Sequence, residues 1–144
     1  MCGDMLPLRK RLLRDRKVLL ACLMACCGFI IALGHDVFAN PDRPIIDHVF
    51  HGVLAAIGGF LAGYLFSGLL GRTGWRGWIV SFLGAWGCSA IGGFIAGTLR
   101  LPGIGSFFGF LTGAMWFVNI YTGILWISVF VLMQFAAISI RRRS

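Results

Sequence analysis

Apolar residues run almost unbroken through four stretches of the chain, and polar residues gather between them. The stretches are 18–34, 48–70, 78–99 and about 107–138. A bilayer core about 30 Å thick needs roughly 20 apolar residues per helix. The pattern therefore predicts an all-α, polytopic membrane bundle of four transmembrane helices. Residues 1–17 form a basic head, and 18–144 form a single transmembrane bundle. Between the first two runs lies the polar segment HDVFANPDRPIID, where Pro41 and Pro44 interrupt any helix. Between the second and third lies GRTGWRGW, which places Arg72, Trp75, Arg76 and Trp78 at the lipid interface.

The last apolar stretch is long enough for one tilted helix, for a helix preceded by a re-entrant turn, or for two spans. Charge decides the number of crossings. Lys and Arg collect in short cytoplasmic loops. With four spans and both termini cytoplasmic, eleven of the thirteen basic residues lie inside, and only Arg43 and Arg100 lie outside. A fifth span would put Arg141, Arg142 and Arg143 outside. The expected location is a bacterial-type inner membrane. A rival reading of the first run is a secretory signal, with Val37-Phe38-Ala39 as its cleavage site before Asn40. At 17 residues the run is longer than the usual 7–15, so an uncleaved anchor is preferred.

Composition supports the membrane reading. Hydrophobic residues make up 58% of the chain and charged residues 12%, against about 25% charge in a soluble domain. The formal net charge of +8 could indicate nucleic acid. Its placement at span ends points to anionic lipid headgroups instead, so membrane lipids are the expected partner and nucleic acid is not. The five cysteines, Cys2, Cys22, Cys26, Cys27 and Cys88, include no CxxC pair and read as packing residues.

The most specific feature is the spacing of small residues. Ala55, Gly59, Gly63, Ser67 and Gly71 recur every four positions, as do Ala85, Ser89, Gly93 and Gly97, and then Gly105, Gly109 and Gly113. Positions four apart share a helix face. A face without side chains lets two backbones approach closely, which is how helices associate in lipid. The ladders imply helix packing, within one chain or between copies. AIGGFLAGYL at 56–65 is echoed by AIGGFIAGTL at 90–99, on helices expected to run in opposite directions. Inverted repeats are common in transporters, but shared packing demand explains so short a match equally well.

Candidate chemistry is sparse. The apolar runs carry few polar residues; Asn119 and Gln134 are expected to hydrogen-bond between helices. Proton relays need intramembrane ionisable groups, and none is expected within the hydrocarbon zone. The titratable residues His35, Asp36, Asp42, Asp47, His48 and His51 cluster around the polar segment. His48 and His51 share a face at the start of the second span, and with Asp47 or Asp36 they are candidate metal ligands. A polar cap on an entering helix is the preferred alternative. No catalytic constellation can be assembled, so neither an enzyme nor a cofactor is expected.

From about Gly52 onward, the segments GGFLAGYL, GRTGWRGW and FLGAWGCSAIGGFIAG and the basic end RRRS resemble the small stress-response membrane proteins called transglycosylase-associated proteins. The resemblance covers about two thirds of the chain. It implies a short glycine-rich bundle with a basic tail and carries over no catalytic residue. The expected function is a structural or assembly subunit, self-associating or part of a larger complex. The alternatives are a small oligomeric channel or transporter and a signal-cleaved, pilin-like subunit of an envelope machine.

Overall fold

The computed structural model describes residues 5–115 and 119–142, with side-chain surroundings from Asp15 onward. Five helices follow in order: α1 (Met5–Ala39), α2 (Ile45–Phe66), α3 (Gly74–Arg100), α4 (Ile104–Ala114) and α5 (Ile120–Arg142). No strand occurs among the described residues. Four segments are long and apolar enough to cross a membrane: Asp15–Ala39, Ile45–Phe66, Gly74–Arg100 and Ile120–Arg142. The protein is an all-helical membrane protein. The N-terminal part of α1 and the end of α5 lie at one end of the bundle, where Arg141 reaches the carbonyls of Ser67 and Gly68 after α2. The α1–α2 and α3–α4 connections lie at the opposite end.

The last apolar stretch, open in the sequence between one tilted helix, a helix preceded by a re-entrant turn and two spans, forms α4 and α5. α4 has 11 residues and is therefore about 16 Å long, half the apolar thickness of a bilayer. Three contacts show that it enters and leaves by the same side. At its deep end Gly113 packs on the Ser89 carbonyl of α3. Further along the chain, Trp126 Nε1 donates to Ser89 Oγ at 2.8 Å, so α5 reaches that depth only at Trp126. At the start of α5, Tyr121 stacks on Phe38 near the end of α1, with ring centroids 6.2 Å apart. α4 is thus a re-entrant half-helix. Ending a helix in the hydrocarbon layer exposes carbonyls that must find donors. Here Trp86 Nε1 donates to the Ala114 carbonyl at 2.9 Å, and the Met115 amide returns to Leu111 O at 2.8 Å.

The glycine ladders are used within the chain. α3 and α4 form one seam. A Cβ on Gly97 would strike the Gly105 carbonyl, one on Gly93 the Gly109 carbonyl, and one on Gly113 the Ser89 carbonyl. The α2 ladder faces α1 instead. A Cβ on Gly59 would lie 2.8 Å from Met24 O, and one on Gly63 would lie 2.6 Å from Met24 Cβ. In return, Gly28 of α1 sits beneath the Ala55 carbonyl, 2.8 Å from its own added Cβ. The internal echo has a spatial counterpart. Gly58 and Gly92, its equivalent positions, cross each other at the α2–α3 contact, while Gly59 and Gly93 turn outward to α1 and α4. Each echoed segment therefore packs on the other through its first glycine and on a flanking helix through its second.

Large side chains fill the half of the bundle nearer the termini. Leu20, Met24, Cys27, Leu70, Trp126, Phe130 and Met133 are buried there together. Phe82 packs edge-on against Trp126 and Phe130, at 5.5 Å from each. Trp78, expected at the headgroups, packs edge-on against Phe130 and Phe135 at 6.1 and 5.9 Å. Trp75 is 80% exposed, as a lipid-interface residue should be. Arg72 and Arg76 are also exposed, and Arg143 lies outside the described residues.

Candidate functional site

The other half of the bundle is built from small residues, and it is not filled. A cavity of about 940 Å³ lies between α1, α2, α3, α4 and α5. Ligand pockets usually measure about 300–1,000 Å³. Its floor is Met24, Cys88 and Trp126, and its walls include Gly28, Ala32, Ala55, Gly92, Ala96, Gly105, Phe108 and Thr112. The cavity follows from the seams. α4 packs on α3 along the glycine seam and has no comparable contact with α1, α2 or α5. A space therefore opens between α4 and the α1–α2 pair.

The mouth of the cavity carries His35, Asp36, Arg43, His51 and Arg100. Helix α1 does not stop at Gly34 but continues through the polar positions to Ala39. One further turn brings Asp36 inside the bundle, where it is 8% exposed. Its carboxylate is the hub of a network. Oδ2 accepts from His48 Nδ1 at 2.8 Å and lies 3.1 Å from His51 Nδ1. Oδ1 accepts from Asn40 Nδ2 at 2.9 Å and from Arg43 at 3.4 Å. His51 Nδ1 also lies 2.8 Å from the Asp47 carbonyl, and its Nε2 meets the Arg100 guanidinium. His35 Nδ1 pairs with Thr122 Oγ1 at 2.9 Å and ties α1 to α5.

The sequence placed no ionisable group in the hydrocarbon zone and grouped Asp36 and His48 with the polar segment; the structure shows that both are nevertheless buried. Asp36 and His48 are buried within helices, and Asp36 lies in a segment able to span a membrane. A charge there is costly unless paired, and such residues mark functional sites by default. Of the candidate metal ligands, His48 and His51 do come together, but the carboxylate they share is Asp36. Asp47 contributes its backbone carbonyl. Among the described residues no group of three or more His, Cys, Asp or Glu side chains is arranged to hold a metal ion.

Replacing Asp36 by Ala would leave the buried His48 imidazole without its acceptor, at about 1–3 kcal/mol, and free the partly exposed Asn40 amide. Thermal unfolding in detergent should show a lower midpoint for D36A, with D36N falling between it and the wild type. A midpoint unchanged in D36A would remove the carboxylate from the centre of the network.

The two expected amide bridges divide. Gln134 is fully buried; its Nε2 donates to Arg72 O at 2.8 Å, and its Oε1 accepts from Gly71 N at 3.2 Å. Asn119 instead accepts from its near neighbour Tyr121 N at 3.0 Å and lines the cavity. The sequence reading missed the cavity itself. Its signal is the concentration of Gly and Ala at facing positions of four helices near a polar segment. No family model matches the chain, and neither a curated protein nor a solved structure matches it.

Proposed function

We propose that this protein is a small transporter-type membrane protein that admits an amphiphilic molecule, with an apolar chain and an anionic head, into the cavity between its helices. The observation that carries the reading is the cavity's polarity along its length. Mostly apolar and glycine surfaces line its depth, and the Asp, His and Arg side chains gather at its mouth. The head would meet Arg43 and Arg100, which contact Asp36 and His51 at the mouth and would exchange those partners for the anion. The chain would lie along Ala32, Ala96 and Phe108 toward Trp126. The re-entrant half-helix supports the same reading, because non-helical backbone at membrane depth is tolerated where it lines a cavity. Assembly into a larger complex is the second reading. The ladders that suggested it pack inside the chain, so an oligomer would use other, lipid-facing surface.

The test uses a palmitate analogue carrying a mid-chain diazirine. The full chain is reconstituted in phosphatidylcholine nanodiscs, irradiated and mapped by mass spectrometry. Labelling of α1 and α4 peptides that line the cavity is expected, competed by oleate and lost in Ala32→Trp. Labelling confined to lipid-facing positions, and insensitive to oleate, would reject the reading.

A further inference from the structure

At the opposite end of the bundle from the cavity, three guanidinium groups converge without a carboxylate. Arg72, Arg141 and Arg142 line a shallow pocket of about 530 Å³, together with Gly71, Thr73 and Ile138. The convergence is built in. Arg141 Nη2 donates to Ser67 O at 3.1 Å and to Gly68 O at 2.9 Å, closing the end of α2. Arg72 Nε donates to the same Gly68 carbonyl at 3.2 Å. Two cations are thus drawn onto one oxygen, where they repel each other. None of the three arginines forms an ion pair with a carboxylate among the described residues.

A second observation makes the cluster more than a solvated patch. Arg141 Nε is the one buried side-chain nitrogen or oxygen among the described residues that has no hydrogen-bond partner. Such orphans are rare in folded proteins and commonly mark a missing ion or water. Its neighbours are cationic, so the ion that relieves the repulsion is an anion. Planar guanidinium groups favour tetrahedral oxyanions, which accept two parallel N–H bonds.

We propose that Arg72, Arg141 and Arg142 form a binding site for a phosphate group. Two sources have this chemistry: the headgroup of an anionic phospholipid in the adjacent leaflet, and a free phosphate in solution. Thr73 lines the same pocket. The site is separate from the cavity and does not depend on the reading given for it.

The experiment titrates the purified full chain in mild detergent with phosphatidylglycerol, phosphatidylcholine and inorganic phosphate, reading bound adducts by native mass spectrometry. One phosphatidylglycerol per chain should bind on the order of tenfold more tightly than phosphatidylcholine, and less tightly as salt rises. The double variant Arg72→Gln/Arg142→Gln leaves the bonds from Arg141 to α2 in place. It should lose the preference while keeping the lipid-free melting midpoint. Competition by inorganic phosphate would identify a soluble source, and its absence a lipid source. Equal binding of the two lipids without phosphate binding would overturn the proposal. A preference that survives in the double variant would overturn it as well.

Discussion

Gly97→Ala lowers the melting midpoint of the protein in detergent, although alanine is the better helix former. Two effects of opposite sign meet at this position. In a helix interior Ala is favoured over Gly by about 0.8–1.0 kcal/mol. Against that, the added methyl would fall on the carbonyl of Gly105, which is backbone and cannot rotate aside. Relief requires α3 and α4 to separate, which loses close contact along the whole seam. Overpacking of this kind costs roughly 1–3 kcal/mol and more where backbone must shift, so the clash wins. Gly93→Ala should behave alike, because its methyl would strike the Gly109 carbonyl. The control is Gly68→Ala, where a Cβ meets nothing within 4 Å and φ is not positive. Its midpoint should match the wild type. If Gly97→Ala were as stable as Gly68→Ala, α4 would not be seated on α3 as described.

Gln134→Leu is the second large effect. Leucine is close in volume and suits a lipid-embedded helix, so hydropathy alone predicts a gain. The Gln134 side chain, however, is fully buried and serves two backbone groups of the turn between α2 and α3, Gly71 N–H and Arg72 C=O. A buried polar group stripped of its partner costs about 1–3 kcal/mol, and the buried Gly71 N–H sets the loss, the Arg72 carbonyl being only partly buried. Gly71 also holds φ +67 and packs directly on Ala137 of α5, with an added Cβ only 2.7 Å from its carbonyl carbon. The turn therefore has little freedom to find other partners. Hydrogen exchange at the Gly71 amide should accelerate in the variant, and the melting midpoint should fall. Unchanged exchange at that amide would show that water, not Gln134, satisfies the turn.

These two positions show what the sequence makes legible. The four-residue spacing of Gly93, Gly97, Gly105 and Gly109 marks the faces that pack, because period fixes a helix face. Period cannot name the partner, so the pairing of α3 with α4, and of the α2 ladder with α1, emerges only in three dimensions. The hydrogen-bonding role of Gln134 is readable because a buried amide must find a partner. The re-entrant turn is one of three options the sequence leaves open, because the residues from 107 onward stay apolar whether the chain crosses or doubles back. The network at Asp36 is hidden for a related reason. A polar segment with two prolines reads as a loop, whereas α1 continues to Ala39 and carries Asp36 and Asn40 onto one face, their side chains 2.9 Å apart. That extra turn creates the mouth of the cavity.

The seam between α3 and α4 is degenerate in register. In the observed alignment Ser89, Gly93 and Gly97 face Gly113, Gly109 and Gly105. Sliding α4 by one turn, about 5.4 Å, would set Ala85, Ser89 and Gly93 against the same three glycines, again small against small. Shape along the seam therefore distinguishes the two alignments weakly, and the choice falls to polar pins at its ends. Thr98 and Ser106 share a hydrogen bond of 2.7 Å at one end, and Trp86 holds the Ala114 carbonyl at the other. The half-helix is a sliding key whose position is set by two latches, and the depth of the cavity is set with it.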